Sequence, residues 1–244
     1  MRNALGRLCA TRCIALPLVA VAGLAAAQQV RGARLPFVDP FDGAVLAPGW
    51  SVLNPTLATI AVSGGALHVT PNQGGLGVIW FQDAEGALAY RTVTGDFTAT
   101  VRAHARAAGS ATQPPPAPYR LGGLLARDPA SSPGARNSVH VALGSGVTDA
   151  PPFAPVCAED KTTVDSASDF VLHPIASADG DLRIRRRGAS FELAYRAIGS
   201  ASWSVLRTHT RPDLPATLEV GLMAYSAPAP PDLELHFDRF ELGP

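Results

Sequence analysis

One run of thirteen residues, 95–107, constrains the fold more than any other part of the chain. It reads GDFTATVRAHARA, with apolar side chains at every second position and mostly polar side chains between them. The apolar set is Phe97, Ala99, Val101, Ala103 and Ala105. Because successive side chains of a β-strand point to opposite faces, this alternation predicts a strand with one buried and one exposed face. Such a strand needs a second layer of structure to cover its apolar side.

The rest of the chain beyond residue 27 repeats this alternation over short runs separated by Gly, Pro, Asn, Asp and Ser, without a convincing helical period. We predict a dozen strands, which is more than one open sheet normally holds, and therefore two stacked antiparallel sheets in one domain. The predicted strands are 59–62, 66–70, 78–82, 95–107, 121–127, 138–144, 162–165, 181–187, 190–197, 202–207, 217–226 and 233–242.

Three consecutive arginines, Arg185–Arg187, lie in the run LRIRRRGASFELAYR and raise the question of a polyanion-binding patch. Alternation on both sides of the Gly-Ala dipeptide 188–189 instead predicts a β-hairpin. The hairpin divides its arginines between two faces. We expect Arg183 or Arg185 to lie across from Glu192 or Arg196 in ordinary cross-strand pairs on a solvated face.

The first 27 residues have the pattern of a secretory signal peptide. Three arginines precede the apolar run Ile14–Ala27, which ends in three alanines and is short for a membrane span. We expect a signal peptide over 1–27, a short lead over 28–36 and one domain over 37–244, in an exported protein with no membrane span. Cleavage removes three of the 20 basic residues and none of the 20 acidic residues, which leaves a formal charge of −3. A mildly acidic chain is a poor candidate for binding nucleic acid.

Cys157 is the only cysteine beyond the predicted cleavage site, because Cys9 and Cys13 belong to the signal segment. The mature chain therefore has no intrachain disulfide, and its fold must rely on its core. In an oxidising compartment an exposed odd cysteine tends to pair between chains, whereas a buried one stays free. We expect a monomer with Cys157 buried, and a disulfide dimer through Cys157 is the alternative.

The second half of the chain resembles the C-terminal half of concanavalin A-like (laminin-G-like) jelly-roll domains. The resemblance is carried by LRIRRRG-ASFELAYRAIGSASWSVL, LPATLEVGLMAYS and HFDRFEL, and PFVDPFDGAVLAPGW fits the usual opening. The chain is most similar to the secreted DUF1349-type group, over about residues 37–242. This resemblance implies an antiparallel two-sheet jelly-roll sandwich, and it makes non-catalytic binding of a carbohydrate or glycoconjugate the leading function. Many unrelated activities share this sandwich, so the resemblance bears on fold more than on function.

Five basic side chains form the predicted ligand-binding surface. They are Arg102, His104, Arg106, Arg120 and His140. On adjacent strands such groups can contact one sugar ring together, because guanidinium groups offer forked donors to hydroxyls and carboxylates. An ordinary solvated sheet face is the alternative. Trp80 in GVIWFQD is the best candidate for an exposed stacking aromatic, since Trp80 or Phe81 must face outward if that run is a strand.

Three aspartates are candidate ligands for a structural Ca²⁺ ion. Asp39 and Asp42 open the domain and Asp238 lies in its closing strand, and these two strands often lie side by side in domains of this resemblance. Carboxylates with backbone carbonyls suit calcium. The alternative is an Asx-type turn at Asp42 and a β-bulge near Asp238–Arg239, where the apolar alternation slips by one position. No other cofactor is predicted, and no two histidines have ligand spacing along the sequence.

No catalytic motif is present in the sequence. Glycoside hydrolysis normally needs two acids flanking one bond, and the acidic run CAEDKTTVDSASD at 157–169 is predicted as a solvated loop. No G-x-S-x-G segment marks a serine nucleophile. Two alternatives to carbohydrate binding stay open. One is a divergent glycoside hydrolase or polysaccharide lyase with dispersed acidic residues, and the other is a structural or protein-interaction module of the cell surface.

Overall fold

The computed structural model describes residues 36–116, 118–147 and 156–244. The predicted signal peptide and all but the last residue of the lead lie outside these ranges. Within the described ranges, no helix has the length and apolar character that crossing a membrane requires.

The described residues form strands arranged in two antiparallel sheets, which confirms the predicted fold class. The strands are β1 (Phe37–Asp39), β2 (Ser51–Leu53), β3 (Ala58–Ser63), β4 (Ala66–Pro71), β5 (Leu88–Thr94), β6 (Phe97–Arg106), β7 (Arg120–Arg127), β8 (Ser138–Ser145), β9 (Val156–Val164), β10 (Ala167–Pro174), β11 (Asp179–Arg187), β12 (Ser190–Ala197), β13 (Ser204–Thr210), β14 (Thr217–Ser226) and β15 (Glu234–Gly243). One 3₁₀ helix covers Leu76–Val78. The first sheet has the order β13–β12–β11–β6–β15–β4–β3, with β1 beside β15. The second sheet has the order β10–β9–β8–β7–β14–β5–β2.

The core lies between the two sheets and follows from the alternation along the strands. All five apolar residues of β6 are buried in it, as the sequence predicts. Strand β7 of the opposite sheet approaches closely because Gly122 has no side chain. A Cβ atom at Gly122 would lie 2.6 Å from Cγ of Leu235 on β15. Burial of each Val, Leu or Phe side chain stabilises the folded state by about 1.5–3 kcal/mol. A core of this size can therefore stabilise the domain without a disulfide.

The predicted hairpin is confirmed as β11 and β12, which pair in register around the turn at 188–189. On its outer face, Arg183 and Arg185 both contact Glu192, at 2.8 and 2.9 Å. Arg186 points to the other side and is buried, and its guanidinium donates to the carbonyls of Pro215 and Gly188 at 2.7 and 3.0 Å. The three arginines therefore form no common patch.

The closing strand β15 also matches its prediction. Its register against β6 shifts between Phe237 and Arg239, which is the predicted β-bulge. The first strand, β1, pairs with β15, with Phe37 opposite Leu242. The two ends of the domain are therefore held in one sheet.

Several strand predictions were wrong. The run 78–82 is not a strand, and it belongs to an irregular segment that begins with the 3₁₀ helix. Strands β1, β2, β5 and β10 were missed, and β9 begins six residues before its predicted start at 162. β1 and β2 are only three residues long, too short for an alternating pattern, and β10 carries polar residues on both faces.

Candidate functional site

The outer face of the second sheet is apolar, and the chain between β4 and β5 covers part of it. Ile79 and Trp80 of this covering segment are buried against the sheet. The sheet contributes Leu88, Leu121, Leu125, Ala142, Cys157, Leu172, Met223 and Tyr225 to this second apolar cluster. Large exposed apolar patches are rare on monomeric proteins, so a face of this composition needs a cover. Cys157 is buried, as predicted from its being the only cysteine beyond the signal segment. It lies in strand β9 and not in the predicted loop.

A pocket of about 120 Å³ opens beside the covering segment. Its lining is mainly aromatic and aliphatic, with two charged groups. The lining residues are Leu76, Ile79, Phe81, Tyr119, Glu159, Lys161, Phe170, Tyr225 and Ala227. We call this opening the Glu159 pocket. Leu76 is 69% exposed, so an apolar side chain lies open to solvent at the pocket.

Glu159 lies in a buried network at the pocket, and only 1% of the residue is exposed. Its Oε1 atom lies 2.5 Å from Nζ of Lys161 and 3.3 Å from Nε2 of His140. The Tyr225 hydroxyl donates a hydrogen bond to Oε2. Strands β8, β9 and β14 supply these four side chains, so the network is fixed by the sheet and not by loops.

The charges in this network follow from burial and proximity. Burial alone would raise the pKa of Glu159, but the Lys161 ammonium and the His140 hydrogen bond outweigh it and lower the pKa to about 2. Burial lowers the pKa of His140, and Lys161 lowers it further. Burial raises the pKa of Tyr225, and the Glu159 carboxylate adds to the increase. At neutral pH the network therefore holds an ionised Glu159 carboxylate, a neutral His140 imidazole and a Tyr225 phenol around Nζ of Lys161.

Lys161 connects the floor of the pocket to its cover. Its ammonium donates to the carbonyl of Trp80 at 3.1 Å. It also lies 5.0 Å from the ring centroid of Phe170 and 5.3 Å from that of Tyr225, within the range of cation–π attraction. A ligand in the pocket would therefore contact the rings of Phe170 and Tyr225, which lie close to the buried Nζ of Lys161.

Asp160, next to Glu159 in sequence, points to the opposite side of β9. Its carboxylate contacts the Arg207 guanidinium and lies 2.5 Å from Nε2 of His173. Burial opposes ionisation of Asp160, but hydrogen bonds from His173 and His209 together with Arg207 keep its pKa below the ordinary value. Since Arg207 belongs to β13, this buried cluster ties the second sheet to the first. In the part of the chain that the structure describes, Glu159 is the single carboxylate that lines the pocket.

Three of the five predicted binding residues lie together on the outer face of the first sheet. Nε of Arg102 donates to Asp181 at 3.0 Å, and Nη2 of Arg106 lies 2.5 Å from Asp179. His104 lies between two carboxylates, with Nδ1 2.6 Å from Asp179 and Nε2 3.0 Å from Asp238. We call this surface the polar face. Its donors are already paired with acids, as expected of a solvated sheet face. Beside Arg102 lies an open groove of about 660 Å³ that includes Trp203.

The predicted five-residue surface is wrong, because Arg120 and His140 belong to the second sheet. The neighbours of β6 are β11 and β15, and the segment between β6 and β7 passes from one sheet to the other. Arg120 is buried and donates to the carbonyls of Pro116, Pro230 and Pro231, so it holds two proline-rich loops. His140 is buried in the Glu159 network and is not part of a wet face.

Trp80 is not an exposed stacking aromatic. It lies in the covering segment, only 4% exposed, and packs onto the apolar outer face of the second sheet. The prediction assumed a strand at 78–82, in which neighbouring side chains must point to opposite sides. In the irregular segment that the chain adopts, Trp80 and Phe81 both contact the same apolar cluster.

The three candidate calcium ligands do not form a group in the described part of the chain. Asp39 is buried, and its carboxylate accepts hydrogen bonds from the Phe41 amide at 2.9 Å and from Nε1 of Trp50 at 2.8 Å. Asp238 contacts His104 on the polar face, and Asp42 is exposed. The carboxylate of Asp39 therefore has protein donors, and calcium binding by these residues stays a prediction.

Glu159 and Lys161 were missed because the acidic run 157–169 was predicted as a solvated loop outside the short strand at 162–165. It forms most of β9 and the start of β10. In β9 the side chains of Cys157, Glu159 and Lys161 share one face, and those of Ala158, Asp160 and Thr162 share the other. Because both faces carry charged residues, the run lacks the apolar alternation by which the other strands were recognised.

No protein-family model matches the sequence, and no curated protein sequence matches it either. Solved structures match the fold. A xylan β-1,4-xylosidase from Bacillus halodurans aligns with a TM-score of 0.65 and 14% identity, over 87% of this chain and 40% of the xylosidase chain. This protein therefore spans about two fifths of that enzyme. A functionally unknown protein from Saccharomyces cerevisiae aligns with a TM-score of 0.59 and 15% identity, over 80% of this chain and 97% of its own.

Lectin I-B4 from Griffonia simplicifolia, in its metal-free form, aligns with a TM-score of 0.54 and 13% identity. The alignment covers 86% of this chain and 99% of the lectin. At these identities the similarity concerns the fold alone. The fold is a concanavalin A-like jelly-roll sandwich, as the sequence resemblance implies.

Proposed function

We propose that the protein is a secreted, non-catalytic carbohydrate-binding jelly roll that holds one sugar ring in the Glu159 pocket. The fold supports this proposal, because among its structural neighbours are a protein named as a lectin and another named as a xylosidase. The signal-peptide pattern of residues 1–27 supports export. The resemblance to the DUF1349-type group is part of the proposal, as is the assignment of the ligand to a glycan.

The observation that carries the proposal is a buried Glu–Lys pair at the base of an open aromatic pocket. Replacing a buried ion pair by packed apolar residues is often neutral or stabilising. A contribution to stability is therefore a weak explanation for the presence of this buried pair. Perturbed titratable groups beneath a cleft are typical of functional sites. Glu159 and Lys161 are fixed by neighbours on three strands, which is the preorganisation that a binding site needs.

The dimensions and chemistry of the pocket suit one ring at the end of a glycan. Its volume of about 120 Å³ is below the roughly 300–1,000 Å³ of pockets that enclose a drug-sized ligand. The apolar face of a sugar ring can pack on Phe170 and Tyr119, and a hydroxyl can reach the charged pair. The remaining lone pairs of Glu159 accept from a hydroxyl, and Lys161 donates to one.

A hydrolytic function has less support. A glycosidase general acid needs a pKa near the working pH, whereas Glu159, with a pKa of about 2, has no proton to donate at neutral pH. The nearest acid along the chain, Asp160, faces away from the pocket and is bound to Arg207. Among the described residues that line the pocket, Glu159 has no second carboxylate beside it to form a glycosidase pair.

The proposal is tested by a glycan array followed by calorimetry with the best ligand. Phe170→Ala removes a pocket wall, and Arg102→Ala is the matched control on the polar face. We expect Phe170→Ala to weaken binding at least tenfold and Arg102→Ala to leave it within twofold. The opposite pattern would place the site on the polar face and overturn the pocket. Release of new reducing ends from the bound glycan would overturn the non-catalytic role, and an array with no binding would favour a protein-interaction module.

A further inference from the structure

Two histidines and a glutamate meet across neighbouring strands of the first sheet, away from the Glu159 pocket. His68 on β4 pairs directly with His236 on β15 in the sheet register, and Glu234 lies two residues before His236 on the same face. Their potential ligand atoms all lie within 4.8 Å of one another. In the described part of the chain this is the only such group of three His, Cys, Asp or Glu residues. The sequence gives no local sign of it, because the two histidines are 168 positions apart.

The distances in this group fit one metal ion. Oε1 of Glu234 lies 3.0 Å from Nδ1 of His68 and 2.9 Å from Nε2 of His236. Zinc binds histidine nitrogen and carboxylate oxygen at about 2.0–2.2 Å, so ligand atoms around a tetrahedral ion lie about 3.3 Å apart. A movement of a few tenths of an ångström by Glu234 would open the required space. About a quarter of each side chain is exposed, so water can reach a further coordination position.

The contacts of the two imidazoles show which of their nitrogens face the Glu234 carboxylate. Nε2 of His68 lies 3.2 Å from the Ser63 carbonyl, which only accepts, so this nitrogen carries the proton. The other ring nitrogen, Nδ1, faces the carboxylate of Glu234 at 3.0 Å and is the one that a metal would use. Nε2 of His236 is buried and has no well-aligned hydrogen bond within the described structure, although it is close to the same carboxylate. A cation among the three atoms would resolve this arrangement.

No arginine or lysine within the described ranges forms a salt bridge with Glu234. Arg106, which pairs with Glu234 in the register of β6 and β15, donates instead to Asp179 and to backbone carbonyls. The side chains that contact the Glu234 carboxylate in the described structure are therefore the two imidazoles.

We propose that His68, Glu234 and His236 bind a divalent transition metal of the Zn²⁺ type, with water completing a tetrahedral shell. Two imidazoles and one carboxylate are a ligand set that suits zinc and not calcium or magnesium, which prefer oxygen ligands. The hydrogen bond from His68 to the Ser63 carbonyl would fix the ring orientation and present Nδ1 to the metal, as second-shell partners of zinc ligands do.

The test is calorimetric titration of the protein, free of any histidine tag, with ZnCl₂, and visible absorption with Co²⁺ as a probe of tetrahedral geometry. We expect one site per chain, and at least tenfold weaker binding in His68→Ala and in His236→Ala. His104→Ala is the matched control, because it removes a histidine from the adjacent strand, and it should bind within twofold of the original protein. Glu234→Gln keeps the shape of the side chain and should also weaken binding.

Melting temperatures measured without metal identify any variant that has lost its fold. If a histidine variant is unfolded, the Zn²⁺ affinity of Glu234→Gln decides whether the group binds the metal. The proposal is overturned if Zn²⁺ does not bind, if none of the three ligand variants weakens binding, or if His104→Ala weakens it equally. It is also overturned if equimolar Ca²⁺ displaces the Zn²⁺. Each outcome is independent of glycan binding, so failure here leaves the proposed function standing.

Discussion

Lys161→Met is the sharpest perturbation of the Glu159 network. Methionine has a similar length, but it leaves the Glu159 carboxylate buried without its cation and the Trp80 carbonyl without its donor. Removing one partner of a buried pair costs about 3–5 kcal/mol. In a domain of this size, 1 kcal/mol corresponds to about 2–4 °C of melting temperature, so we expect a decrease of about 6–20 °C.

The pH dependence of this change has a definite sign. In the original protein the folded state lowers the pKa of Glu159 from 4.5 to about 2. This stabilisation, on the order of 3 kcal/mol, is fully present above pH 4.5 and is lost as the pH falls towards 2. In Lys161→Met the cation that most lowers the pKa of Glu159 is gone while burial remains, so we expect that pKa to rise. The ionised carboxylate then destabilises the folded state at neutral pH, and the penalty disappears on acidification.

Urea unfolding followed by tryptophan fluorescence, between about pH 4 and 7, measures both effects. The set comprises Lys161→Met, Glu159→Gln and the double variant, which should recover much of the loss because it leaves no unpaired buried charge. Arg185→Met is the control, since it breaks an exposed pair with Glu192 and should cost at most about 1 kcal/mol. An equal cost for Lys161→Met and Arg185→Met, or the same slope of stability against pH in Lys161→Met and the original protein, would refute the reasoning.

Three further predictions follow from the packing. Burial raises the pKa of Cys157 to about 12, so a thiol reagent should label the native protein slowly and the urea-unfolded protein at once. A non-reducing gel should show only monomer. Gly122→Ala should lower the free energy of unfolding by about 1–3 kcal/mol, because its Cβ would meet Leu235. Gly77→Ala, which meets open space, should leave that free energy within about 0.5 kcal/mol in the same denaturation assay. Arg120→Ala should cost about 2–3 kcal/mol, since three loop carbonyls lose a charged donor; a cost below about 0.5 kcal/mol would contradict this role.

The sequence predicts the fold well where a strand has one apolar and one polar face. β6 and the hairpin of β11 and β12 have this pattern, and their bounds are correct within two residues. The bulge in β15 was found because apolar residues change phase at Asp238. Strand β9 was not recognised in full, because it lacks the pattern of one apolar and one polar face. Glu159 and Asp160 place a buried charge on each of its faces.

The candidate site was harder to predict, because its residues meet through the sheet order. Arg102 and His140 both lie on strands with a clear pattern, but alternation along a strand does not tell which sheet the strand joins. The topology places β6 in one sheet and β8 in the other. For the same reason, the contact between His68 and His236 depends on the pairing of β4 with β15, which no local spacing encodes.

The burial of Lys161 has a practical consequence for handling the protein. It is the only lysine in the chain, and 4% of the residue is exposed. Burial therefore limits the access of acylating reagents to Lys161, and the other basic side chains of the protein are arginines and histidines. Acylating labels and amine crosslinkers should modify the folded chain at its α-amino terminus alone. A fluorophore or a solid support can thus be attached at one defined point, and a second acylated position would report that the second sheet has opened.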